Sequence, residues 1–330
     1  MSLSGEPGWL VFVGVLVVLL ALDAGLFHRS PRRASLREAL AWSVFWVGVG
    51  IAFGVGIYVD GGSSTKAAHE AGLCYFTAWL VEKSLSVDNL FVIALIFTYF
   101  KVDRAIQHRV LFWGVIGAIA TRALVIVCGL GLLARFEWMQ LVFAGFLIYS
   151  GVRMWREEET FGDFSPDRNL FVRLARRLVP VSEEYHGASF FVRLPDEKRR
   201  QVLHATPLFI ALLVVETADL VFAVDSIPAV LGVSRDPFVV ITSNAFAILG
   251  LRAMYFVLAA FLERFHHLQE GVSVILVFVG ARMIAEQCGY DWATHLTLLF
   301  IATVLVATVG ISLWQERGGG QQRHASTDPP

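Results

Sequence analysis

Two short acidic runs stand inside otherwise apolar stretches of this chain. One is Glu82-Lys83-Ser84-Leu85-Ser86-Val87-Asp88-Asn89, and the other is Glu216-Thr217-Ala218-Asp219 followed by Asp225-Ser226-Ile227-Pro228. Carboxylates with an amide, hydroxyls and backbone carbonyls close by form an all-oxygen donor set, which suits Mg²⁺, Ca²⁺ or Mn²⁺. Neither run supplies the thiolates or imidazoles that Zn²⁺ or Cu⁺ favours. The candidate ligands are Asp88, Asp219, Asp225, Glu82 and Glu216, supported by Asn89 and Ser226. An aspartate at the centre of a lipid-exposed helix costs roughly 2.5–3.5 kcal/mol, so such groups must face a cavity, a cation or one another. These five acids face three bases within apolar segments, Lys83, Arg122 and Arg252, which leaves a formal charge of −2. One divalent ion would neutralise it, and so would protons, which makes proton coupling part of the same expectation. For Arg122 and Arg252 two readings stay open, as structural partners of the carboxylates or as gating groups.

The elements that carry these residues must lie in a membrane. Apolar residues make up 56 % of the 330 positions and charged residues 17 %, with a mean hydropathy of +0.63, the composition of an all-α polytopic membrane protein. The net charge of −1 gives no sign of a nucleic-acid partner. Cys74, Cys128 and Cys288 form no paired motif and read as ordinary core residues. The apolar run that begins near Trp9 has no basic segment before it and is long enough to span, so it reads as an uncleaved first helix. On a ruler of about 20 apolar residues per crossing, the chain divides into nine segments near 8–27, 40–59, 72–100, 109–133, 137–155, 205–231, 237–261, 271–286 and 292–314. The transmembrane domain thus covers 1–314, and the Gly- and Gln-rich tail 315–330 is expected to be disordered.

Lys and Arg concentrate in alternate connections. Four arginines, Arg29, Arg32, Arg33 and Arg37, follow the first segment, against Lys66 alone after the second, and ten basic residues lie from Arg153, at the end of the fifth segment, to His204. By the positive-inside rule the N-terminus is outside, the C-terminus inside, and the loop of about 156–204 cytoplasmic. Within that loop, Arg168 to Arg177 is a candidate interfacial helix and Tyr185-His186-Gly187 to Arg193 a candidate short hairpin. Asp23, near the cytoplasmic end of the first segment, is expected to snorkel or cap rather than bind metal, and His266 and His267 are expected to be solvated.

The chain also resembles itself. Phe136, Gln140, Leu147, Gly151, Arg153, Met154 and Glu157 recur as Phe265, Gln269, Leu276, Gly280, Arg282, Met283 and Glu286 at a constant offset of 129. One residue of slippage matches Arg122-Ala123 with Arg252-Ala253, and a second matches Asp88 and Phe91 with Asp219 and Phe222. Segments three to five, about 72–157, therefore repeat as six to eight, about 205–286. Three spans is an odd number, so the copies must cross the membrane in opposite senses, as three-plus-three inverted repeats with a site at their midplane interface.

At about 100° per residue, Glu82, Ser86 and Asn89 share one helical stripe, with Asp88 roughly 120° away, while Glu216, Asp219 and Ser226 share another, with Asp225 opposite Glu216. Pro228 removes the bond to the Val224 carbonyl, which predicts a break or kink beside Asp225. A similar departure from helix is expected near Ser86 to Asn89, with no Pro or Gly to mark it.

The two acidic runs, extended through Ala229, and the stretch Thr242-Ser243-Asn244-Ala245-Phe246-Ala247-Ile248-Leu249-Gly250-Leu251-Arg252-Ala253 resemble the signature runs of the TerC family of integral membrane proteins. The resemblance extends from Leu22-Asp23 to Arg282 and includes Tyr185-His186-Gly187. It implies membership of a LysE-type superfamily of cation exporters, whose Alx-like members export Mn²⁺ and others are linked to tellurite resistance or to metal loading of exported enzymes. It also implies a multi-pass protein of the bacterial inner membrane, with the family's acidic positions carried on Glu82, Asp88, Glu216, Asp219 and Asp225. The expectation is a secondary transporter of Mn²⁺, or alternatively Ca²⁺ or another divalent ion, with no prosthetic group. The competing expectation is a membrane scaffold for metallation, export or metal stress, recruiting a protein partner through the basic loop. No nucleophile–base pair or phosphate loop points to an enzyme.

Overall fold

In the computed structural model of the chain, the residues described are 6–27, 36–59, 65–136, 138–156, 172–173, 177, 179–182, 184–195, 200–261, 268–290 and 293–324. Ten long helices dominate: α1 (Glu6–Phe27), α2 (Leu36–Val59), α3 (Thr65–Tyr99), α4 (Arg104–Arg135), α5 (Met139–Arg156), α6 (Pro207–Leu231), α7 (Pro237–Ile248), α8 (Leu251–Phe261), α9 (Leu268–Gln287) and α10 (Thr294–His324). A two-stranded antiparallel hairpin, β1 (Phe191–Pro195) and β2 (Gln201–Ala205), precedes α6. Among the described residues five helices, α1, α2, α4, α6 and α10, are long and apolar enough to cross a membrane, and the bent pair α7–α8 makes a sixth if it counts as one span. Multi-pass membrane architecture follows from these spans alone.

Helix starts are set by ordinary chemistry. The Asp103 carboxylate accepts from the Ala105 N–H at 2.9 Å to cap α4, and Asp236 accepts from the N–H groups of Phe238 and Val239 to cap α7. Pro207 and Pro237 occupy first-turn positions, where the missing N–H costs nothing.

Two expected interruptions are absent, and one occurs elsewhere. Helix α3 runs unbroken through Ser86 to Asn89, in keeping with the absence of a helix breaker there. Helix α6 continues past Pro228 to Leu231; the proline lies in the final turn, so only the end of the helix forgoes a bond. The segment expected as one helix over 237–261 instead breaks at Leu249-Gly250, bending by 40°. Gly250 adopts φ +88, open to glycine because it has no Cβ, and a side chain there would collide with Trp46 of α2.

The break leaves α7 carbonyls without helical partners. Leu249 N–H takes the Ala245 carbonyl at 2.9 Å, and the Lys83 ammonium of α3 donates to the Ala247 carbonyl at 2.9 Å. A cation at a helix C-terminus also meets the negative end of the dipole. Lys83 thus caps a broken helix.

Helices α5 and α9 pack most intimately. A Cβ built on Gly151 would lie 2.8 Å from the Ser273 carbonyl oxygen, 2.8 Å from Val277 Cγ2 and 3.2 Å from Leu276 Cβ. A Cβ on Gly280 would lie 2.7 Å from the Ala144 carbonyl oxygen, 2.9 Å from Ile148 Cγ1 and 3.2 Å from Leu147 Cβ. Each residue of the second set, from Ala144, Leu147 and Ile148 on α5, maps onto its counterpart in the first on adding 129. The two glycines are what let the backbones approach this closely. Helices α1 and α2 close the flank of α7, with Trp9 edge-on to Phe238 at 5.3 Å and Phe53 against Phe246 at 4.4 Å.

The hairpin falls later than Tyr185 to Arg193, because it is the two alternating runs Phe191 to Pro195 and Gln201 to Ala205 that pair. Tyr185 instead docks the preceding segment: its hydroxyl donates to the Phe100 carbonyl at 2.6 Å, and burial raises its pKa, which keeps it a donor. Helix α10 extends to His324, into the stretch expected to be disordered. Residues 168–171 and 174–176 of the expected interfacial helix, the His266-His267 loop and the tail 325–330 lie outside the described residues.

Candidate cation site

At mid-length of four helices, the side chains of both acidic runs meet on one arginine. Arg122 of α4 is fully buried. Its Nε and Nη2 donate to the Asp219 carboxylate at 3.1 and 2.7 Å, a bidentate pairing across to α6. Its Nη1 donates to Glu82 Oε1 of α3 and, at 3.3 Å, to Ser226 Oγ of α6. With the Asn89 amide oriented to satisfy both of its groups, its oxygen accepts from Arg122 Nη2 at 3.1 Å and its nitrogen donates to the Leu85 carbonyl at 3.2 Å. A guanidinium has five N–H donors; here each has an acceptor.

Glu82 is equally buried and fully engaged. Oε1 faces Arg122 and, at 3.5 Å, the Ser86 hydroxyl, while Oε2 accepts from Asn244 Nδ2 of α7 at 3.0 Å. The stripe expected on α3 (Glu82, Ser86, Asn89) therefore faces Asp219 and Ser226 of the stripe expected on α6 (Glu216, Asp219, Ser226), with Arg122 between them. Glu216, one turn before Asp219, sits against Gly117 of α4, where an added Cβ would meet its carboxylate. A larger residue at this position would require the Glu216 side chain to move.

The other two bases serve elsewhere. Lys83 caps α7 as described, its ammonium on the Ala247 carbonyl. Arg252, 3 % exposed, donates through Nη2 to the Asp23 carboxylate of α1 and to the Asp23 carbonyl at 3.0 Å. Asp23 is itself buried, so it neither snorkels nor caps; the guanidinium of Arg252 draws it inward and compensates its charge. The side chains of Asp88 and Asp225 lie outside the described residues. Among the described residues, no group of three or more His, Cys, Asp or Glu side chains is arranged to hold a metal ion. Glu82 and Asp219 are compensated by a guanidinium in this conformation.

Three participants are not among the site residues expected from the sequence. Asn244 is visible there only as part of a resemblance, Gly117 has no signature outside its packing, and Asp23 belongs to a helix outside the acidic runs.

Comparison with known proteins decides the family. The description Integral membrane protein TerC family matches residues 67–319. The chain belongs to the TerC family. Its relatives include Uncharacterized membrane protein STKORF319 of Myxococcus xanthus, 43 % identical over 314 residues, covering 95 % of this chain and 94 % of that one. They also include proteins named Putative membrane-bound redox modulator Alx: from Photorhabdus laumondii, 40 % identical over 319 residues (95 % and 97 % covered), and from Escherichia coli K12, 39 % identical over 332 residues (97 % and 100 % covered). No solved structure matches the chain. Similarity to these TerC-family proteins thus runs through α1 and α2 as well as the segments that carry the charged cluster.

Proposed function

We propose that this TerC-family protein is a secondary transporter that exports a divalent cation, Mn²⁺ in the first place, through a midplane site built from both acidic runs. The observation that carries the reading is the meeting of Glu82 and Asp219, from two runs far apart in the chain, on one buried cation at mid-length of α3, α4, α6 and α7. Buried ionisable groups at that depth are costly and mark ion pathways. The choice of Mn²⁺ among the hard divalent ions comes from the resemblance alone. Mn²⁺ is redox-active, and its export is compatible with relatives named as redox modulators.

In the proposed cycle Arg122 is the resident counter-ion of the empty transporter. An incoming divalent ion takes the carboxylates from the guanidinium, and Asp88 and Asp225 supply ligands from the adjoining faces of α3 and α6. Nine crossings follow if α3, α5 and α9 span as well and α7–α8 counts as one, with the N-terminus outside and the hairpin in the cytoplasm. Helices α3–α5 and α6–α9 would then be inverted repeats. The matched contacts of Gly151 and Gly280 support this arrangement, since helices related by an in-plane two-fold axis must exchange contacts at one constant offset.

Cells expressing Asp88→Asn or Asp225→Asn are expected to accumulate Mn²⁺ as transport-null cells do, measured as total cell manganese after a Mn²⁺ load. Efflux like that of the wild type from both variants would sink the assignment.

A further inference from the structure

Beside the Arg122 cluster a small cavity of about 30 Å³ has both Asp219 and Arg252 in its wall. The rest of its lining is apolar, including Leu90, Leu111, Val115 and Leu251. One void is thus bordered by Asp219, which is paired with Arg122 within the repeats, and by Arg252, which is paired with Asp23 of α1. Arg252 is fixed on the Asp23 side: its Nη2 bonds both the carboxylate and the carbonyl of Asp23, and its guanidinium lies 5.9 Å from the Phe112 ring.

We infer that Asp23 is a positioning residue for the cation site, holding the Arg252 guanidinium away from Asp219 so that this carboxylate is shared only between Arg122 and the transported ion. Helix α1 lies outside both repeats, yet it supplies the charge that decides where a repeat-borne arginine rests. Counting Asp23 with the five acids of the two runs takes the formal deficit against Lys83, Arg122 and Arg252 to −3. Removing the Asp23 charge takes a counter-charge from a buried guanidinium beside a void that Asp219 also lines. Arg252 then turns toward Asp219 and competes with the cation.

This inference rests on the transport reading, and the test separates the two. Purified protein is reconstituted into liposomes and initial rates are measured against Mn²⁺ concentration. Asp23→Asn is expected to raise KM for Mn²⁺ about tenfold, the scale of one added like charge near the ion. Asp23→Glu should recover most of that loss, and the double variant Asp23→Asn/Arg252→Gln, which removes the competitor as well, should bring KM back to near the wild-type value. A merely structural role lowers the active fraction and hence the maximal rate, leaves KM in place, and makes the double variant worse than the single. An unchanged KM in Asp23→Asn, or a double variant no better than the single, overturns the inference. If Asp23→Asn is not recovered folded, the KM of the double variant decides alone: a value near wild type supports the inference, and a tenfold rise refutes it. Failure of the wild type itself to move Mn²⁺ removes the transport reading, and this inference with it.

Discussion

Arg122→Gln is expected to cost about 3–5 kcal/mol of stability, the range for removing one partner of a buried ion pair. Glutamine can reach at most two of the acceptors that the guanidinium satisfies, and it brings no charge. Glu82 and Asp219 are then left facing each other with nothing positive between them, in a region without bulk water. The loss should appear as a large fall in melting temperature of the detergent-solubilised protein. A second consequence separates a cation site from a mere structural pair: Mn²⁺ added to Arg122→Gln should raise its melting temperature more than it raises that of the wild type. The vacated position now binds the ion without first displacing a guanidinium, and binding to the folded state stabilises by mass action. A variant as stable as the wild type would show that the network contributes nothing, and a variant indifferent to Mn²⁺ would leave the carboxylates with a structural role only.

Gly151→Ala and Gly280→Ala form the second large expectation. Alanine normally gains up to about 1 kcal/mol over glycine inside a helix. At these two positions the added carbon meets a backbone carbonyl oxygen at 2.8 and 2.7 Å, which cannot rotate away, so α5 and α9 must part along their contact. Overpacking of that kind costs typically about 1–3 kcal/mol. Because the neighbours of the two glycines correspond pair by pair, the two single variants should lose similar amounts, and the double variant should lose more than either. Gly145→Ala, on the same helix α5 but with open space around it, should be neutral or slightly stabilising. Thermal unfolding of the four variants against the wild type checks the pattern. If alanine at Gly151 and Gly280 behaves as it does at Gly145, the close crossing is wrong; if one single variant is silent and the other severe, the two-fold relation between the helices fails.

Much of this architecture was legible because a membrane forces a simple code: apolar length gives helices, and charge inside that length gives a site. The placement of α1, α2, α4 and α6 follows from apolar runs alone, and the stripes Glu82, Ser86, Asn89 and Glu216, Asp219, Ser226 follow from 3.6-residue periodicity, though of the second it is Asp219 and Ser226 that bond Arg122. What the sequence did not reveal depends on tertiary balance. Pro228 promises a kink by its covalent chemistry, but its position in the last turn of α6 leaves almost no helix to bend. Gly250 reads as one more glycine in an apolar helix; only the packing of Trp46 and the Lys83 cap make it the break. Charge counting correctly collected Lys83, Arg122 and Arg252, yet it could not assign partners. Lys83 answers a helix carbonyl, Arg252 answers Asp23, and Arg122 answers Glu82 of one run and Asp219 of the other. Partner choice among buried charges is set by angstrom-scale geometry, which spacing along a chain does not encode.

The central claim is that the carboxylates gathered on Arg122 bind a divalent ion and carry it across the membrane. The most direct measurement is Mn²⁺ flux in proteoliposomes containing the purified protein, with and without an imposed pH gradient, alongside Asp219→Asn. The wild type is expected to move Mn²⁺ saturably, Asp219→Asn to lose at least most of that movement, and other divalent ions that favour oxygen ligands to compete. Wild-type vesicles that move Mn²⁺ no faster than protein-free ones, or an Asp219→Asn variant with wild-type flux, would contradict the central claim.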